Sequence, residues 1–166
     1  MLCDLLLPRL SEFDLQVYRT VVPADHVLRK ALQVIPWGDF REILAPYYSR
    51  ELGRPPGDPV LMLKLEYLRY HHNLSDREVI ARAETDLGFR CFLQLPLRGW
   101  LPDPSSLCVF RGRLGVEGFR KVFTQVIHLA REQGIVKDRL RIKDATHVIA
   151  DIAVPSALAL TAQTRD

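Results

Sequence analysis

Asp144 ends a run in which Leu140 and Ile142 alternate with Arg139, Arg141 and Lys143, the period of a half-buried strand. Ala145-Thr146 can turn the chain into a second β-rich run, His147 to Val154. A carboxylate at a strand tip faces solvent while the strand fixes its backbone. As a hard oxygen ligand it suits Mg²⁺. The same aspartate can equally serve only to break the strand and open a turn. Spacing alone does not separate the two roles.

A second set of chemical groups is cationic. Residues 88–143 hold 11 Lys and Arg against 4 Asp and Glu, whereas residues 1–87 hold 11 against 13. The overall net charge of +3 hides this local excess of +7. A concentrated positive segment fits a polyanion such as DNA, or else a solvated Arg-rich helical surface. Arg98, Arg111, Arg113, Arg120, Lys121, Arg139, Arg141 and Lys143 are the candidate DNA contacts. Phe110 and Phe119 must point into a core and hold part of each helix down, so few of these cations reach phosphates together. The three cysteines (Cys3, Cys91, Cys108) are scattered and fit reduced thiols, without zinc spacing. His71 and His72 are adjacent, so a helix points them in different directions and not at one metal.

These groups must be positioned by helices. Residues 1–22 show no clear period and are expected to form an arm. From Pro23, the residues Val27, Leu28, Ala31, Leu32 and Ile35 line one helical face, and Phe40, Ile43, Leu44 and Tyr47 suggest a short helix after Pro36 and Gly38. Gly53-Arg-Pro-Pro-Gly57 is a turn that no helix crosses. Asp58-Pro59 caps a helix running to about His72, and Ser75-Asp-Arg-Glu78 is a capping box for one running to about Leu87. This pair has the form of an αα-hairpin, but its second helix carries Asp76, Glu78, Glu84 and Asp86 against Arg77 and Arg82. Such a face suits a core element better than a groove of phosphates. Phe89, Cys91, Phe92, Leu93 and Leu95 make an apolar patch. Asp103-Pro104 then opens a helix to Leu114, Gly115 breaks it, and a long amphipathic helix follows from Val116 to Gln133. There Phe119, Val122, Phe123, Val126, Ile127 and Ala130 are expected to pack, with Gly134 as C-cap. The expected fold is mainly α, a bundle of about six helices over residues 23–134, followed by a C-terminal β-hairpin within 135–166. No run is apolar enough to span a membrane, and Met1 to Pro8 makes a poor signal peptide, so a cytoplasmic, nucleoid-associated protein without a membrane partner is expected.

The order of segments resembles the N-terminal part of DDE transposases of bacterial insertion sequences, the group with the InsH-type N-terminal domain. The matching residues are Asp58-Pro-Val-Leu-Met-Leu-Lys64, Leu74-Ser-Asp-Arg-Glu78, Asp86-Leu-Gly-Phe-Arg-Cys-Phe-Leu93, Pro102-Asp-Pro-Ser-Ser-Leu107 with Phe110-Arg111, and Asp144-Ala-Thr-His-Val-Ile-Ala150. The resemblance implies a helical DNA-binding region followed by an RNase H-like catalytic domain whose first strand ends on Asp144. It also implies catalysis by Mg²⁺ or Mn²⁺, two ions roughly 4 Å apart that activate the attacking oxygen and stabilise the leaving one. The implied partners are DNA at the element's terminal repeats and another transposase chain or a second copy. After Asp144 only 22 residues follow, with Asp151 and Asp166 as their acids, and neither matches the family's second aspartate or its glutamate. One carboxylate does not hold a metal pair. The 166-residue chain is therefore expected to bind no metal stably and to be inactive alone. The competing readings are a non-catalytic DNA-binding repressor or assembly module, and a helical protein-interaction domain.

Overall fold

A computed structural model describes residues 10–48 and 58–134. The helices are α1 (Glu12–Val21), α2 (Val27–Val34), α3 (Phe40–Leu44), α4 (Pro59–His71), α5 (Asp76–Thr85), α6 (Leu87–Leu93) and α7 (Ser105–Glu132). Two 3₁₀ turns, Trp37–Asp39 and Ala45–Tyr47, flank α3. By its internal contacts the chain divides into Met1–Leu129 and Ala130–Asp166. The described structure is mainly helical, as expected. The expected β-hairpin, with Asp144, Arg139, Arg141 and Lys143, lies outside the described residues, as does the turn at 53–57.

The first unit is built around α4. Asp58 accepts a hydrogen bond from Val60 N at 3.1 Å, and Pro59 fills the first turn, where its missing N–H costs nothing. Every residue from Pro59 to Glu66, and Leu68, is buried, so the first two turns of the helix are covered on all sides. Leu61, Leu65 and Leu68 meet Val79 and Ala83 of α5, Phe89 and Phe92 of α6, and Phe110 and Leu114 of α7 in one continuous core. Burying a Leu or Phe side chain contributes about 1.5–3 kcal/mol, which makes this cluster the main source of stability. Asn73, with φ 52°, closes α4, and the Ser75–Glu78 capping box opens α5 as expected.

Two expectations are corrected here. The second hairpin helix ends at Thr85, because Asp86 turns the chain and then caps α6 by accepting from Gly88 N at 2.8 Å and Phe89 N at 3.2 Å. The apolar patch at Phe89–Leu93 is thus a helix of its own. The stretch at 12–21 also forms a helix, opened by a Ser11–Asp14 capping box. It shows no apolar period because its anchors are polar: the Tyr18 hydroxyl donates to Leu95 O at 2.6 Å, and Asp14 accepts from Leu97 N at 3.0 Å. The hydrogen bond from the Ser11 side chain first, then those from Leu97 N and Ser11 N, hold Asp14's carboxyl below its ordinary range.

Helix α7 bends at Gly115, whose φ 55° and ψ −170° are not helical. This matches the expected break and divides the helix into arms at 105–114 and 116–132. The bend brings turns together, so a Cβ on Gly118 would sit 2.9 Å from Leu114 Cβ and 3.2 Å from Tyr47 Cζ. Gly118 is what lets the second arm pass Tyr47.

Candidate nucleic-acid interface

Arg111 and Arg113 lie two residues apart on the first arm of α7 and have opposite surroundings. The Arg111 guanidinium grips Asp76 with both terminal nitrogens, at 2.9 and 2.6 Å, and donates to Glu66 at 2.7 Å. Arg69 completes the group, 2.9 Å from Glu66 and 3.7 Å from Asp76. The Glu66 side chain is only 3% exposed, and these donors satisfy both of its oxygens in the core. The bond from Arg111 pulls the Asp76 carboxyl down, and the bond to Asp76 pushes Arg111 up. The network ties α4, α5 and α7 together. Arg111, expected among the phosphate contacts, has both of its terminal nitrogens engaged by carboxylates.

Arg113 is exposed and lies over the Tyr48 ring at 5.4 Å. Lys121, on the second arm, lies over the Tyr47 ring at 5.7 Å. Arg120 is exposed beside it. Arg120 and Lys121 line a shallow groove of about 410 Å³ with Glu42, Ile43 and Pro46 opposite and Glu117 on their own helix. Among the described residues none of Arg113, Arg120 and Lys121 takes part in an ion pair shorter than 4.0 Å. A cation resting on an aromatic face keeps its charge available and loses less freedom when it meets an anion. Burial beneath Arg113 pushes the Tyr48 hydroxyl up to about 12, so the ring stays neutral at working pH. The two tyrosines were not anticipated as part of this surface. Their signal was the adjacent Tyr47-Tyr48 pair at the end of a short helix.

Arg98 is exposed on the loop between α6 and α7, a different element from the other three. Arg139, Arg141, Lys143 and Asp144 lie outside the described residues. The second arm of α7 also departs from the expected pattern. Val122 is buried, but Phe123 is 58% and Val126 47% exposed, and Val116 is 89% exposed. The bend at Gly115 carries that side of the arm off the core.

Lys64 is buried at 3% exposure in the middle of α4. Its ammonium donates to Gln94 Oε1 at 2.7 Å and sits 5.8 Å from the rings of both Trp37 and Phe92. Burial pulls its pKa down to about 8. Among the described residues no group of three or more His, Cys, Asp or Glu side chains is placed to hold a metal ion, and no helix is long and apolar enough to cross a membrane.

A curated relative from Rhizobium meliloti, described as an uncharacterized protein, ORF8 in the nfe locus, is 32% identical over 111 residues. The match covers 63% of this chain and 51% of that protein, so the chain spans about half the length of the relative. No solved structure matches. The family described as "Transposase domain (DUF772)" matches residues 16–113, from within α1 to Arg113 on the first arm of α7. That span is more than half of the chain and contains most of the buried core around α4: the chain belongs to this transposase domain family.

Proposed function

We propose that this helical unit is the DNA-binding part of an insertion-sequence transposase of the InsH-type DDE group. One observation carries the reading: Arg113, Arg120 and Lys121 stand on α7 outside the ion pairs of the described residues, two of them over tyrosine rings, within and just beyond the family span. Phosphate contacts of this kind position a protein on DNA and make binding strongly dependent on salt. Arg98 is a further contact on its own loop. In the whole protein, DNA transposition proceeds by metal-dependent cleavage and strand transfer, with Asp144 as the first acidic residue and Mg²⁺ or Mn²⁺ as cofactor.

The test is a salt titration of duplex DNA binding by fluorescence anisotropy. If these three cations neutralise three phosphates, replacing all three by Gln makes the slope of log K against log[salt] shallower by roughly 2.7. Replacing Arg77 and Arg82 on α5 leaves it unchanged. A slope indifferent to the triple replacement moves the interface elsewhere, and no duplex binding even at low salt sinks the reading.

A second reading, an assembly surface for another copy of the chain, is favoured by exposed Val116, Phe123 and Val126 on the same arm. Sedimentation of the wild type against Phe123→Ser decides it. A monomer at every concentration rejects it.

A further inference from the structure

Away from α7's basic side, a cleft of about 510 Å³ opens between α5 and the loop leading into α7. Ile80 and Glu84 form one wall, Arg90 its floor, and the 99–104 backbone with Trp100 and Asp103 the other wall. The volume lies within the range of small-molecule sites, about 300–1,000 Å³. Two features of the cleft are unexplained by folding. Trp100, one of only two tryptophans, is 51% exposed on a proline-flanked loop. Arg90 is only 5% exposed; its Nη1 donates to Pro96 O at 2.6 Å, and its Nε, itself shielded from solvent, has no hydrogen-bond partner. A buried guanidinium N–H left unpaired is costly, and large indoles left half in water are most often contact residues.

From this geometry we infer that the cleft binds a single unpaired guanine base, stacked on Trp100, with Arg90 and the Glu84 and Asp103 carboxylates reading its edge. The charges select the occupant. In the lining, two carboxylates face one arginine, with Arg77 near enough to Asp103 to act on it, a balance that disfavours a phosphate group. Asp103 accepts from Ser105 N at 2.8 Å, and the Ser105 side chain first, then this backbone bond, hold its carboxyl below the usual range. The occupant must be planar and uncharged, with adjacent donors for a carboxylate and an acceptor for a guanidinium N–H. Guanine meets this with N1–H and N2–H beside O6. In a duplex that edge is already paired, so the base must come from a single-stranded or unstacked position. Arg98, two residues before Trp100, is exposed and serves the phosphate of the same nucleotide. The inference rests on the DNA-binding reading but uses a different surface.

The test uses the full chain and the single-stranded trinucleotides d(TGT), d(TCT) and d(TIT), inosine lacking only the N2 amino group. Binding is read by quenching of tryptophan emission and by anisotropy of labelled trinucleotide. Trp37 is buried at 8% exposure and supplies a constant background. We expect d(TGT) to quench, d(TIT) to bind about fivefold more weakly as one hydrogen bond is lost, and d(TCT) to bind more weakly than d(TGT). Trp100→Ala should weaken d(TGT) on the order of tenfold, and Trp100→Phe should restore part of it. Glu84→Gln should reduce the preference for d(TGT) over d(TIT). The exposed Trp100 and Glu84 leave the core intact, which circular dichroism of each variant checks. Equal affinity for d(TGT) and d(TIT), or d(TGT) binding unchanged in Trp100→Ala, overturns the proposal. Duplex binding that keeps its salt slope in Trp100→Ala separates this outcome from failure of the α7 interface. Guanine-selective quenching without any duplex binding upholds the cleft and rejects that interface instead.

Discussion

Along its two arms α7 holds charge in opposite ways, although Arg113 on the first already stands outside the ion pairs. On the first, Arg111 is locked between Glu66 and Asp76 and works as a tie between helices. On the second, Arg120 and Lys121 are exposed, and apolar Val116 and Phe123 are exposed with them. The change falls between Arg111 and Arg113, one turn or less before the bend at Gly115. A cation that must sit next to a buried carboxylate stabilises the fold and has nothing left for a ligand. One beyond the bend adds little to folding and remains free to bind. Counting positive charge along the chain does not distinguish them.

The contrast breaks most sharply at Arg111. Arg111→Met leaves Glu66 buried with Arg69 as its remaining donor and removes both hydrogen bonds to Asp76. Losing one partner of a buried pair costs about 3–5 kcal/mol; here the arginine is 30% exposed, which puts the expected loss at roughly 2–3 kcal/mol by urea denaturation. Asp76 has a depressed pKa in the fold, so its contribution is present above the unfolded carboxylate value and fades as pH falls below about 4. The acid transition of Arg111→Met should therefore be shallower than that of the wild type. A stability loss under about 0.5 kcal/mol would return Arg111 to the ligand contacts.

Lys64 sharpens the same comparison inside the core, where a cation has only an amide for a partner. Its folded pKa is about 8 against an ordinary 10.5, so between those values the unfolded chain holds more protons. Stability gained from this group then rises with pH through that window. Half-buried Cys91 and buried Tyr18 and Tyr48 have raised pKa values and oppose the rise at higher pH. The difference between wild type and Lys64→Met isolates the lysine, and it should shift by roughly 2 kcal/mol in favour of the wild type between pH 7 and 10. A constant difference across that range means Lys64 is hydrated and not buried.

Gly118 tests the junction itself. Gly118→Ala gains helix propensity of about 1 kcal/mol but places a methyl 2.9 Å from Leu114 Cβ, and Leu114 is buried and cannot yield cheaply. The expected net loss is roughly 1 kcal/mol in thermal unfolding, with the Lys121–Tyr47 stacking disturbed. A stabilised variant would mean that the bend opens freely.

Much of the helical frame was legible because its signals are local. Asp58-Pro59 and the Ser75–Glu78 box fix helix starts through short-range hydrogen bonds, and Gly115 marked the bend through its backbone freedom. Helix α1 was missed because its anchors, Asp14 and Tyr18, reach amide and carbonyl groups far along the chain, at Leu97 and Leu95. Helix α6 was missed because Asp86 ends one helix while opening the next, and a seven-residue helix shows no full apolar period. The candidate interface was half legible. Sequence marks which residues are cationic, but whether Arg111 or Arg113 is spent depends on where Glu66 and Asp76 fall on two other helices. The aromatic rings beneath Arg113 and Lys121 are likewise a tertiary fact.

The smallest effect on folding is expected at Arg113, and it is the most informative about function. Its guanidinium rests on Tyr48 at 5.4 Å and is exposed, so Arg113→Gln forfeits one cation–π contact at an open site, about 0.5–1 kcal/mol at most. Thermal unfolding should therefore move by no more than a few degrees. The same variant removes one potential phosphate contact, which should make the salt slope for duplex binding shallower by about 0.9 and weaken binding equally on every sequence. Arg113→Lys should keep most of the slope, since charge and not fork geometry is what counterion release measures. An Arg113→Gln variant that unfolds like Arg111→Met but binds DNA like the wild type would invert the assignment, with Arg113 as the tie between helices and Arg111 as the phosphate contact.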